Sequence, residues 1–367
     1  MDRSGRRLKP AATIRHHLIA DCYQMTREQT NRQSTAPSFR HILGQERVLN
    51  YLKTAIKVGR LAHAYLFLGP EGVGKGTTAR ALAAVLNCEA ALADGDACGL
   101  CPSCIRLAAG THPDYLEIRP TSEGRQPQIK IEQIREFRRL TAYPPVAGGW
   151  RVALIAPAEA MNDAAANSLL KTLEEPPPQH LLVLTAGLEA DLFPTIVSRC
   201  QKLAFTPLPA ALMEQELMQQ KGLPRSQATL LAALCGGSLG RALALDPDEP
   251  VRRRDQMLAD LQQLAAGAAG PILDWAQRLA KQVAEADSFL LMAQLWYRDL
   301  LVLHYSGSQS LLAHQDRLAD LEREERRGSP QVWLANFAAL GAAQRQLAAN
   351  LNPELTLDVL GFRLPSR

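Results

Sequence analysis

The sequence predicts an α/β domain, a parallel sheet with helices on both faces, followed by two regions built from helices alone. Three observations carry that prediction. Between residues 64 and 186, brief aliphatic runs alternate with stretches of helical periodicity, the pattern of a buried parallel sheet. One of these runs feeds a glycine-rich loop that opens a helix. From residue 210 onward, helical patterns continue with no strand between them, and beyond about 250 they are rich in Ala, Leu and Gln.

Taken in order, residues 1–38 are polar and basic and read as a flexible N-terminal arm, within which Met25 is an alternative start of translation. The α/β domain is expected over 39–206. It opens with a helical pattern from Gln45 to Lys57. Ala64–Leu68 is then the first strand and Gly74–Asn87 the helix after it. Strands follow at Tyr115–Ile118, Arg151–Ile155 and Leu181–Thr185, separated by helical patterns that include Ile131–Leu140 and Asn162–Leu173. Pro207 and Pro209 mark the end of the domain. Residues 207–249 predict a small helical lid closing at Gly236-Gly-Ser-Leu-Gly240, and 250–367 a larger helical domain. Its Phe289–Leu303 stretch, with Trp296, suits oligomer packing and a core equally well.

Composition narrows the function classes. A chain of 367 residues, 47% hydrophobic and 21% charged, is long enough for two or three ordinary globular domains. No apolar run reaches the ~20 residues needed to span a bilayer, and the first forty residues contain no apolar signal core, so a cytoplasmic location is expected. The arm holds seven Lys/Arg and three Asp/Glu; removing these from the totals of 41 and 37 leaves 34 of each. A neutral body does not hold nucleic acid strongly through counterion release, so any DNA contact is local or shared with partners.

Gly69-Pro-Glu-Gly72-Val-Gly74-Lys75-Gly76-Thr77 lies between a strand and a helix, the setting of a phosphate-binding loop. Glycines let backbone amides converge on phosphate oxygens, the helix N-terminus adds its dipole, and Lys75 adds a point charge. Gly76, however, stands where a Ser/Thr hydroxyl normally ligates Mg²⁺, and Thr77 is one place late. The loop is therefore a degenerate site for ATP or ADP. Nucleotide kinases also use a Gly-Lys-Gly-Thr loop.

Cys88, Cys98, Cys101 and Cys104 cluster within seventeen residues, the last three in two successive CxxC steps. Four thiolates with no vacancy suit a structural Zn²⁺. Gly95, Gly99 and Pro102 are expected to keep this segment loop-like. His112 would be a fifth ligand and is expected to start the next strand instead.

Arg151-Val-Ala-Leu-Ile155 has the shape of the strand that delivers acids to Mg²⁺ and the attacking water, yet Ala156 and Pro157 follow it. Glu159 is offset and reads as a solvated glutamate at a helix start. Ser198-Arg199-Cys200 follows the last strand; its arginine, read alone, is a surface ion-pair residue.

Together these residues resemble the bacterial replicative clamp-loader subunits of the AAA+ class. The resemblance rests on His63-Ala-Tyr-Leu-Phe67, the four cysteines, His112-Pro-Asp114, Asn167-Ser-Leu-Leu-Lys-Thr-Leu-Glu-Glu-Pro-Pro177 and Ser198-Arg-Cys200, dense over 39–206 and weaker to Asn352-Pro353. It implies an AAA+ P-loop domain with an inserted zinc module at 88–104, a lid, and a C-terminal collar for oligomerisation. It also implies that Arg199, with Ser198 beside it, is an arginine finger reaching ATP on a neighbouring subunit. In the motor subunits (gamma/tau) an Asp-Glu pair stands at the places of Ala156 and Pro157, and a nucleotide-sensing arginine at the place of Gly240, with Arg241 here displaced by one. Losing these and the metal ligand, while keeping Arg199, is the pattern of the delta-prime type. The implied partners are gamma/tau and delta subunits in a hetero-oligomer, with the sliding clamp and primed DNA met through that complex and no membrane. The rival reading is a catalytically active P-loop ATPase or a nucleotide kinase; the ATPase lacks its acids after Ile155, and no phosphate-clamping segment of a kinase is recognisable.

Overall fold

Strands β1 (Ala64–Leu68), β2 (Tyr115–Ile118), β3 (Arg151–Ile155), β4 (His180–Ala186) and β5 (Gln201–Ala204) form one parallel sheet in the order β2-β3-β4-β1-β5. The computed structural model describes residues 36–121 and 127–364. Most of the basic arm, including Met25 and Cys22, lies outside the described residues.

Alternation along the inner strands builds two cores, one on each face of the sheet. Tyr65, Phe67, Val152, Leu154 and Val183 point into one, with Leu82 of the helix after the glycine loop. Leu66, Ala153, Ile155, Leu182 and Leu184 point into the other, with Leu169 and Ile196. Burial on both sides is why these strands read as unbroken aliphatic runs. β5 was not anticipated: only Leu203 of its four residues is buried, so it pairs with β1 at the sheet edge without an apolar run.

The helices of this unit are α1 (Glu46–Lys57), α2 (Lys75–Leu86), α3 (Pro102–Ala108), α4 (Ile131–Thr141), α5 (Asp163–Glu174) and α6 (Pro194–Val197). Asn162 caps α5, its side chain accepting the Ala165 amide at 2.8 Å. α3 corrects one expectation: Pro102 does not keep the cysteine segment a loop but occupies the first turn of a short helix that carries Cys104. A five-stranded parallel sheet covered by helices is the α/β architecture expected of this part of the chain.

By their contacts, residues 36–209 with 238–241 form one compact unit, and 210–237 with 242–364 a second. The second holds α7 (Ala210–Lys221), α8 (Arg225–Cys235), α10 (Asp248–Leu264), α11 (Ala269–Ala280), α12 (Val283–Ser306), α13 (Leu318–Glu325), α14 (Pro330–Ala348) and α15 (Pro353–Arg363); α9 (Leu239–Ala244) bridges the boundary in sequence. Its core gathers Leu230, Met257, Trp275, Phe289, Trp296, Leu300, Leu340 and Leu357. Phe289 and Trp296 are 5% and 1% exposed, so of the two uses open to that stretch the helix serves the core. Exposed apolar residues of this unit include Leu355, Val359 and Phe362 along α15 and Leu334 and Phe337 on α14. Among the described residues, no helix is long and apolar enough to cross a membrane.

Candidate phosphate loop, arginine and metal-binding sites

β1 ends at Leu68, and the glycine loop turns the chain into α2. Gly69 has φ 144°, and a Cβ there would stand 2.4 Å from the Phe205 carbonyl oxygen, so only glycine fits. At Gly72 a Cβ would fall 2.1 Å from Ser238 Oγ. The Gly240 amide donates to the Gly72 carbonyl at 3.0 Å, which seats residues 238–241 directly on the loop. Gly74, with φ 102°, is the N-cap of α2.

The loop carries a cation and no metal ligand. Lys75 Nζ donates to the carbonyls of Gly69 and, at 2.7 Å, Pro70. Burial draws its pKa down, against the charges of Glu159 and Glu71 that raise it. A Cβ at Gly76 would meet nothing closer than Leu154 Cδ2 at 3.9 Å, so the missing hydroxyl is a loss of chemistry and not a steric demand. Thr77 is exposed. Glu159 is exposed at the start of a short 3₁₀ turn, as expected; it also accepts the Gly187 amide at 3.2 Å, and its charge raises the Lys75 pKa. Thr185, buried on β4, stands in register with Phe67 of β1.

Arg199 follows α6. Its NH1 donates to the Thr195 carbonyl at 3.0 Å and to Ser198 Oγ at 3.5 Å, and its NH2 to Glu174 Oε1 at 2.8 Å. Ser198 Oγ itself donates to the Thr195 carbonyl at 3.2 Å. The Arg199 and Glu174 side chains are 36% and 50% exposed. Cys200 differs from its neighbours: it packs against the core, and burial pushes its thiol up to about 12.

The sulfurs of Cys88, Cys98, Cys101 and Cys104 all lie within 4.8 Å of one another. Tetrahedral Zn–S bonds of about 2.3 Å require sulfurs about 3.8 Å apart, so the four fit such an ion. Gly99, at φ 77°, lets the chain turn so that Leu100 and Cys101 donate their amides to Cys98 Sγ at 3.4 and 3.3 Å. These amides hold the Cys98 thiol down at about 6. Cys98 in turn donates its own amide to Cys88 Sγ at 3.2 Å. His112 is no part of the cluster. Its Nε2 pairs with Ser103 Oγ at 3.1 Å and its Nδ1 accepts the Asp114 amide at 3.1 Å.

Two buried carboxylates to which the sequence analysis gave no role organise the surrounding chain. Asp96, fully buried, accepts the amides of Phe39, Arg40 and Ala97 and the Ser38 hydroxyl at 2.7–3.1 Å, tying the cysteine segment to the start of the described chain. Asp114, of the His-Pro-Asp motif, accepts the Val146 and Ala147 amides at 2.9 and 2.7 Å and pairs with Arg151 at 2.9 Å. Arg151 also donates to the carbonyls of Leu140, Tyr143 and Pro144. Burial works to raise Asp114, but those amides and the guanidinium outweigh it and hold the carboxyl below its usual range. In sequence Asp114 shows only as the end of the His112-Pro-Asp114 motif, and Asp96 only as an acid within the cysteine segment.

Residues 44–209 match the family "DNA polymerase III, delta subunit". Over 82% of its length the chain is 36% identical to DNA polymerase III subunit delta' of Pseudomonas aeruginosa, spanning 90% of that protein. It is 30% identical to the delta' subunit of Bacillus subtilis over 87% of its length and 96% of that protein. With DNA polymerase III subunit tau of Escherichia coli the identity is 33% over 86% of this chain, which spans about half (48%) of tau. Such identity to delta' proteins over nearly their whole length places the chain in the family of DNA polymerase III delta' subunits.

Proposed function

We propose that this chain is a non-hydrolysing member of the clamp loader that presents Arg199 to ATP held by a neighbouring gamma/tau-type protomer. Gamma/tau and delta subunits complete the assembly, which places the sliding clamp on primed DNA. One observation carries the reading: the chain's own phosphate loop lacks a metal-ligating hydroxyl and the acids after β3, while Arg199 lies half-exposed on weak contacts. Phosphoryl transfer is catalysed mainly by charge stabilisation. A loop without a metal ligand or a water-orienting acid supplies little of it, whereas a guanidinium delivered from outside supplies a large share.

Cys88, Cys98, Cys101 and Cys104 would hold a structural Zn²⁺, which bonds all four thiolates and leaves none for chemistry. Residues 207–249 would act as the lid and 250–367 as the collar. The apolar stripe of Leu355, Val359 and Phe362 supports such an oligomer contact.

Two measurements test this. In a complex reconstituted with gamma/tau and delta partners, Arg199→Ala should assemble normally and lower DNA-stimulated ATP hydrolysis at the adjoining site by roughly 10³-fold. An unchanged rate would remove the finger. Metal analysis should find zinc bound to the purified chain and lost in Cys101→Ser; full retention of zinc by that variant would refute the four-thiolate site.

A further inference from the structure

We propose that Glu174 is a positioning residue for Arg199, a role that rests on Arg199 acting on a neighbour's nucleotide. The two residues lie on elements that share one core: Leu169 and Leu173 of α5 pack in the same cluster as Ile196 and Val197 of α6. Their spacing is therefore set by packing beneath them and not by the pair itself. Glu174 ends α5, at the Leu-Glu-Glu-Pro-Pro segment, and the arginine begins where α6 stops.

The guanidinium is held at two ends. Thr195 O and Ser198 Oγ take NH1, while Glu174 Oε1 takes NH2 at 2.8 Å. A free arginine side chain at a surface samples many rotamers, and engaging a phosphate would cost that freedom at the moment of reaction. Glu174 removes part of the cost in advance. The bond that does so is also easy to give up. At 36% and 50% exposure the pair is a solvent-screened surface ion pair, so phosphate oxygens can replace the carboxylate while the Thr195 carbonyl keeps its hold. A buried carboxylate in that place would retain the arginine.

The test uses the reconstituted complex. Glu174→Ala should lower the maximal rate at the affected site by roughly 1.5- to 5-fold, with the KM for ATP unchanged, and the loss should shrink as salt is raised. Glu174→Gln, which keeps an acceptor oxygen, should recover most of the rate. Glu175→Gln removes the same charge one residue along, and no bond joins Glu175 to Arg199 among the described residues; it should match the wild type. In an Arg199→Ala background, Glu174→Ala should cause no further loss. If Arg199→Ala slows the complex but Glu174→Ala does not, the positioning role is wrong and the finger stands. If Glu174→Ala is equally harmful without Arg199, it acts through folding or assembly and the role is again wrong. If Arg199→Ala has no effect, the finger itself fails and this proposal with it.

Discussion

Arg151 and Arg199 each pair with a carboxylate on the same α/β unit, at nearly the same distance, and have opposite fates. The Arg151–Asp114 pair is 2.9 Å long, with side chains 5% and 0% exposed, and both partners are saturated by loop amides and carbonyls. The Arg199–Glu174 pair is 2.8 Å long but 36% and 50% exposed. Length does not separate them; water does. In the interior neither charge can leave without stranding the other, so the pair is scaffold. At the surface the exchange of one anion for another costs little, so the arginine can serve as a reagent.

The largest effect that would break this contrast is on stability. Asp114→Ala leaves Arg151 buried and unpaired and should cost about 3–5 kcal/mol in a denaturation experiment. A cost near zero would mean that the 140–147 segment does not depend on the pair. The pH dependence sharpens the same point. Asp114 titrates below its ordinary value when folded, so the stability it brings is present above about pH 4 and is lost as pH falls through the folded value. Asp114→Asn should flatten that acid limb. At the small end, Arg199→Ala should shift stability by no more than about 1 kcal/mol, because its partner stays solvated. A large loss would make Arg199 a structural residue.

What the sequence alone displays follows the same division between interior and surface. Inner strands declared themselves because burial on both faces demands continuous aliphatic runs, as in Arg151-Val-Ala-Leu-Ile155. β5 escaped notice because an edge strand with Gln201, Lys202 and Ala204 exposed needs no such run. The four cysteines were legible because ligand spacing is local. Asp96 was not: its bonds reach back 56 to 58 residues to Ser38, Phe39 and Arg40. Glu174 belonged to a recognisable motif, but its contact with Arg199 spans 25 residues and exists only once α5 and α6 pack. Phe289 and Trp296 stayed ambiguous because a core and an interface impose the same helical periodicity.

On the proposed function, the chain's own nucleotide machinery is dispensable while Arg199 is not. The most direct measurement is DNA-stimulated ATP hydrolysis by the reconstituted complex with Lys75→Ala in this subunit, run beside Arg199→Ala. The lysine variant should keep the wild-type rate, and the arginine variant should slow the adjoining site roughly 10³-fold. A complex slowed by loss of Lys75 and indifferent to loss of Arg199 would contradict it.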